Sequence, residues 1–230
     1  MGPYKHYSFD LWLTLIKSNP QFKLERAKLF HSRYNTCHKS FEEVVTIFRQ
    51  VDLMCNAINE KTGKNIDADE MYLMVISMIN NYHTDFADFD TGRLYAEMQD
   101  LLFNYPPLIY CGETKNMLHK LKSSGNSTVS LLSNTGFIKG LTLRRILNDL
   151  ELDSLLDFQL YSDEVRLSKP NVQFFQLMLD TIDREKHREI GLHEIVHIGD
   201  NPIADIQGAN AVGIKSILIN SNQQTITCLL

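Results

Sequence analysis

The chain has 230 residues, 43% hydrophobic and 22% charged, with a formal net charge of −5. That length supports a sizeable core, as one large domain or as a domain carrying an insertion, and the balance is that of a soluble globular protein. The negative charge argues against a nucleic-acid binder, which needs a basic surface, and no stretch supplies the ~20 apolar residues of a membrane span. Cys37, Cys55, Cys111 and Cys228 are too far apart for a zinc knuckle or a redox motif, so free thiols in a reducing compartment are expected. With no apolar signal core near the N-terminus, the expected location is cytoplasmic.

Residues 4–9 read as a β-strand, aromatic-rich and stopped abruptly at Asp10. From Asn19 to about Tyr105 the pattern is helical. Pro20 suits a first helical turn. Ser40 and Glu43 form a capping box for a long helix that stops at Gly63. Residues 67–82 open on acids and carry apolar residues at helical spacing, and residues 91–105 form another helix, ended by Pro106 and Pro107. Beyond the prolines, helices and strands alternate: helix 112–125, strand 127–134, helix 140–152, strand 157–162, helix 169–183, strand 194–200, helix 202–213, strand 215–220. Alternation at this length means right-handed crossovers and a parallel sheet. The first strand must join that sheet, because a lone strand is not stable. The fold expected is therefore a doubly wound, Rossmann-like α/β core, residues 1–17 and 108–230, interrupted by an all-helical insertion, 18–107.

Ligands of open parallel sheets bind off the carboxyl ends of the strands. Those ends carry Asp10, with the Thr14 hydroxyl four residues on; Ser133 and Asn134; Lys169, at the start of the next helix; and Asp200 with Asp205. Singly, each is an ordinary cap or surface residue. Together they direct three carboxylates, hydroxyls and one ammonium at a single crevice. Carboxylates 4 Å apart repel by roughly 4 kcal/mol per pair at an effective dielectric near 20. One lysine does not neutralise three acids, whereas a divalent cation with oxygen ligands, Mg²⁺, does. Such a cation and Lys169 would bind an anion such as phosphate. Ser133 and the N–H groups after Asp10 would hydrogen-bond its oxygens, and Asp10 would serve as nucleophile.

The stretches FDLWLTL, LLSNTG, SDEVRLSKP and GDNPIADIQGANAVG resemble the four motifs of the haloacid dehalogenase-like hydrolase superfamily. The resemblance spans the whole core, and the insertion sits where one subfamily carries a helical cap. It implies Asp10 as nucleophile, Ser133 and Lys169 as binders of the transferring group, and Asp200 as a Mg²⁺ ligand. Asp205 would support the metal site. Asp10 and the backbone carbonyl of Trp12 would complete the protein's share of the metal shell.

Trp12 departs from that pattern. Phosphatases of the family usually carry an aspartate two residues after the nucleophile, which protonates the leaving group. An indole N–H has no useful acidity and no acceptor lone pair. Losing a general acid costs roughly 10²- to 10⁴-fold in rate. The expectation is a Mg²⁺-dependent phosphatase acting on a small phosphorylated metabolite with a good leaving group. Two alternatives stand beside it. One is a metal-free 2-haloacid dehalogenase, whose halide leaves without a proton but for which Asp200 would be an unmatched charge. The other is a non-catalytic phospholigand-binding protein on the same scaffold. His193 and His197 match a zinc-protease pattern, but His197 lies in a β-prone run, so no zinc site is expected. Asn126 in Asn-Ser-Thr is a formal glycosylation match without a secretory route. Arg26, Arg33, Arg49 and Arg93 of the insertion could reach a substrate, although helix surfaces carry arginines in any case.

Overall fold

The computed structural model describes residues 4–123, 127–186 and 190–229; Asn126 lies outside them. The chain opens with β1 (His6–Phe9), buried throughout, and a short β2 (Ile16–Lys17). Four helices follow: α1 (Pro20–Arg33), α2 (Phe41–Thr62), α3 (Ala68–Ile79) and α4 (Thr91–Asn104). Then β3 (Leu108–Ile109) returns antiparallel to β2, pairing Ile109 with Ile16. Two-residue strands are too short to show a period, so this ribbon is invisible in the sequence. The rest of the chain alternates: α5 (Thr114–Ser123), β4 (Thr128–Ser133), α6 (Gly140–Asp149), β5 (Phe158–Tyr161), the single turn α7 (Ser162–Val165), α8 (Val172–Lys186), β6 (Ile195–Gly199), a π-helical turn (Pro202–Gln207), α9 (Gly208–Ala211) and β7 (Lys215–Leu218).

One five-stranded sheet runs in the order β5-β4-β1-β6-β7, and every pairing in it is parallel. The three middle strands are buried at every residue, as strands covered on both faces must be. The edge strand β7 exposes Lys215. The chain winds outward from β1 to β4 and β5, then crosses back to place β6 and β7 on the other side. β1 therefore lies at the reversal of strand order, where open sheets hold their ligands. This is a doubly wound α/β fold with a helical insertion between β2 and β3.

The insertion has its own apolar interior, built from α1 to α4 around Phe30, Phe48, Tyr72 and Val75. Its helix ends follow their sequence signals. Asn19 accepts a hydrogen bond from Gln21 N ahead of Pro20. Ser40 and Glu43 form the reciprocal capping box, and the Asp67 N–H donates to the Glu70 carboxylate at 2.9 Å. Gly63 ends α2 at φ +66°, a left-handed conformation that favours glycine. Phe137, from the loop after β4, inserts into this interior. Three of the insertion's arginines lie at the surface in ion pairs: Arg33 and Arg93 with Glu97, and Arg49 with Asp52. Arg26 differs. It is buried, with its guanidinium over the rings of Phe48 at 4.2 Å and Phe137 at 4.5 Å.

Residues 202–213, which read as one helix, begin instead as the wide π-helical turn and become α-helical only at Gly208. The side chain of Asn201 caps the turn by accepting from Ile203 N and Ala204 N. The wide turn carries Asp205 back against the end of β6. A Cβ at Gly199 would collide with the Asp205 carboxylate, so glycine at that strand end is what admits the acid.

Candidate active site

Asp10 follows β1 directly, and its N–H is held by Ile198 O at 2.8 Å. The chain then turns tightly: the Leu11 carbonyl accepts from the N–H groups of Thr14, Leu15 and Ile16. Leu13 takes a left-handed φ of 60°. The Trp12 carbonyl takes no part in the turn's hydrogen bonds among the described residues, and the Trp12 ring packs, partly buried, against the sheet core. Thr14 Oγ1 donates to Asp10 Oδ2 at 3.0 Å. It fixes the carboxylate plane.

Lys169 reaches the same carboxylate from the loop before α8. Its Nζ donates to Asp10 Oδ1 at 2.7 Å and to Asp205 Oδ1 at 2.6 Å, with all three side chains buried. Asp205 has further donors: Asn201 N at 2.9 Å and His197 Nε2 at 3.1 Å. His197 in turn meets the Ser8 hydroxyl through Nδ1 at 2.9 Å. Burial pushes the imidazole below its usual range. A neutral ring then donates from Nε2 to the carboxylate and accepts at Nδ1. A buried polar chain thus runs from β1 through β6 to Asp205, Lys169 and Asp10.

The charges are uneven. Burial opposes the Lys169 ammonium, but the two adjacent carboxylates outweigh it and raise its proton affinity. Burial also opposes the Asp205 carboxylate, yet Lys169 and His197 hold it well below the usual carboxylate range. Asp10 has fewer donors, so burial wins against Lys169 and pushes it up to about 6. Burial pushes Asp200 to about 7, with repulsion from Asp10 and Asp205 adding to the shift.

Asp10, Asp200 and Asp205 offer carboxylate oxygens that all lie within 4.8 Å of one another. Asp205 accepts from three residues and Asp10 from two, which leaves the half-buried Asp200 as the acid most open to a cation, with Asp10 beside it. An all-oxygen donor set in which three carboxylates share one ammonium fits a hard divalent ion. Ser133 and Asn134 lie beside it at the end of β4. The Ser133 hydroxyl donates to the Asn134 carbonyl at 2.9 Å. The Asn134 side chain brackets the Lys169 peptide, accepting from its N–H at 2.7 Å and donating to its carbonyl at 3.0 Å. It ties two strand-end loops together.

Sequence reading did not find His197, Ser8 or Asn201 as neighbours of the site. The only signal for His197 is a histidine inside an apolar strand, which must find partners when buried. His193, its partner in the zinc-protease pattern, is exposed in a separate turn, Leu192–Glu194, so the two do not form a metal pair. The described cysteines are all free, and no described helix is long and apolar enough to cross a membrane.

The sequence model for haloacid dehalogenase-like hydrolases matches residues 8–219, and the chain belongs to that family. Among curated relatives, the ribulose-1,5-bisphosphate 5-phosphatase of Halopiger xanaduensis is 30% identical over 113 residues, 49% of this chain and 43% of that protein. The chain spans about half or less of the curated relatives it matches. The fold is shared with the HAD-hydrolase YfnB of Bacillus subtilis, solved bound to magnesium, at TM-score 0.70 and 16% identity, covering 96% of this chain and 91% of that one. It is shared also with the 2-haloacid dehalogenase of Pseudomonas syringae pv. Tomato, at TM-score 0.62 and 18% identity, covering 96% of this chain and 89% of that one.

Proposed function

We propose that the protein is a Mg²⁺-dependent phosphoric monoester hydrolase for a small phosphorylated substrate. Asp10 is its nucleophile, and residues 18–107 form a cap over the strand ends. The observation that carries this reading is Asp200: a third carboxylate within 4.8 Å of Asp10 and Asp205, which dehalogenation does not use and which a cation would neutralise. Asp10, Asp200 and the Trp12 carbonyl would hold Mg²⁺, which when bound supplies charge to offset the phosphoryl oxygens. Lys169 keeps Asp10 oriented and screens it from Asp205. Thr14 fixes the carboxylate plane, and Asp205 anchors Lys169. The Ser133 hydroxyl and the N–H groups after Asp10 would receive the phosphoryl oxygens. The distant phosphatase relative and the free cysteines, which suit a cytoplasmic protein, agree with this reading.

An aromatic residue beside the nucleophile favours a second reading, 2-haloacid dehalogenation, because Trp12 gives no proton and halide needs none. The test sets p-nitrophenyl phosphate and acetyl phosphate, each with and without Mg²⁺, beside 2-chloropropionate. Mg²⁺-dependent phosphate release that disappears in Asp10→Asn is expected. Chloride release without metal would replace this reading with the second, and no turnover of any of them would leave a binding protein.

A further inference from the structure

The turn that ends α2 lies across the strand ends, and it carries an acid. The Gly63 carbonyl accepts from Ser168 N and from Asn171 Nδ2, each at 3.0 Å. Both donors flank the Lys169–Pro170 pair. A Cβ at Gly63 would sit 2.7 Å from Asn171 Nδ2, so the turn is seated closely. Lys64 bridges Leu167, and Asn65 Oδ1 accepts from Ser162 Oγ at 2.7 Å. One helical turn before Gly63, Glu60 Oε1 accepts from Asn201 Nδ2 at 2.7 Å. Loops following β5 and β6, and the one bearing Lys169, thus grip one segment of the insertion. Glu60 is held next to the loop that bears Asp200.

We infer that Glu60 is the general acid and base of the hydrolysis, supplied by the insertion in place of the group that Trp12 lacks. This rests on the phosphatase reading. Glu60 is half-buried, and its Oε2 has no hydrogen bond or ion pair among the described residues. Its fixed partner is a neutral amide that satisfies one oxygen and leaves the other free for a ligand. Another insertion acid near a strand-end loop, Asp69, is ion-paired with Lys139 at 2.8 Å, so its charge is already matched. In the first step an Asp10 oxygen bonds to phosphorus and the bond to the ester oxygen breaks. The electron pair stays on that oxygen, and the Glu60 carboxylic acid protonates it to give the free alcohol. In the second step water attacks the aspartyl phosphate at phosphorus and gives its proton to the Glu60 carboxylate. The bond from phosphorus to Asp10 breaks, inorganic phosphate leaves, and both acids return to their starting states.

Glu60→Gln tests this, because the amide carbonyl keeps the hydrogen bond from Asn201 and only the proton is lost. kcat/KM is measured for p-nitrophenyl phosphate and for an alkyl phosphate such as glycerol 2-phosphate, in native and variant protein of equal melting temperature. Nitrophenolate departs without a proton and an alkoxide does not. kcat/KM for the alkyl ester should therefore fall about 100-fold or more, and far more than for the aryl ester. The variant should also show a burst of nitrophenol, because hydrolysis of the aspartyl phosphate has lost its base. Equal losses for both esters would make Glu60 a positioning residue only and overturn the inference. So would no loss, or a native protein that hydrolyses aryl but not alkyl phosphates. A native protein that turns over neither phosphate ester would instead sink the phosphatase reading itself.

Discussion

The strand-end cluster and the interior of the insertion handle buried charge in opposite ways. At the strand ends, Lys169 is shared by two carboxylates at 2.7 and 2.6 Å, and Asp205 has donors from three residues. In the insertion, Arg26 is buried with no carboxylate within ion-pair distance among the described residues. It lies instead against the faces of Phe22, Phe48 and Phe137 and bonds the Tyr72 hydroxyl, with its Nε unpartnered. The first arrangement fixes positions through directed, charge-assisted bonds. The second fills space and satisfies charge through ring quadrupoles and one neutral hydroxyl, that of Tyr72. Chemistry needs the first and packing is content with the second.

The sharpest way to break the contrast is Lys169→Met. It leaves Asp10 and Asp205 facing each other in a buried site, which should destabilise the protein by about 3–5 kcal/mol and cut kcat by roughly 10²- to 10³-fold or more. Urea melts and ester turnover check both; a stable, active variant would mean that the pair is not what holds Asp10. Arg26 should behave differently. Arg26→Ala removes packing as well as ring contacts, for about 2–3 kcal/mol. Arg26→Met keeps most of the volume and discards the orphaned Nε, so its change should stay within about 1.5 kcal/mol. If Met is as damaging as Ala, the bond from the guanidinium to the Tyr72 hydroxyl matters more than the packing.

Asp10 and Asp200 give the contrast a pH signature. Their folded-state proton affinities are raised, to about 6 and about 7. The stability they contribute is therefore fully present below the ordinary carboxylate range and is lost as pH rises through those values. A divalent cation competes with the same protons. Millimolar Mg²⁺ should raise the melting temperature by a few degrees at pH 8 and by less at pH 5.5. An equal shift at both pH values would place the cation elsewhere. The smallest effect belongs to a helix end far from the cluster: Ser40→Ala should remove the capping box, lower stability by about 1 kcal/mol, and leave kcat/KM for p-nitrophenyl phosphate unchanged.

These differences also decide what the sequence discloses. The capping box at Ser40, the acids that open α3 and the stop at Gly63 are local, and local spacing reports them. The meeting of Asp10, Lys169 and Asp205 is non-local, yet it is legible because parallel topology brings strand ends together whatever the loops do. Asn134 is found by position, but its use as a clamp on the Lys169 peptide depends on a loop path that no period encodes. Asn201 and Glu60 meet across 141 residues of chain, in a contact set by how α2 lands on the core. The π-helical turn after Asn201 is hidden because its composition is that of an ordinary helix, and only the close approach of Asp205 to Gly199 distinguishes it. Arg26 misleads for the opposite reason. An arginine on an amphipathic helix reads as surface, until Phe137 arrives from the loop after β4 to cover it.

The ribbon of β2 and β3 has a mechanical consequence. The chain leaves the core and re-enters it through two strands that are hydrogen-bonded to each other, Ile16 to Ile109 and Lys17 to Leu108. A body tethered by one strand can swivel freely; one tethered by two paired strands keeps a single soft axis, flexing across the ribbon. At the far side of the insertion, the fastenings around Gly63, Asn65 and Glu60 are hydrogen bonds of the kind water readily replaces. The molecule is built like a hinged door: a two-stranded pivot, a polar catch that water can replace, and an apolar latch, the Phe137 ring lodged against Phe48 and Tyr72.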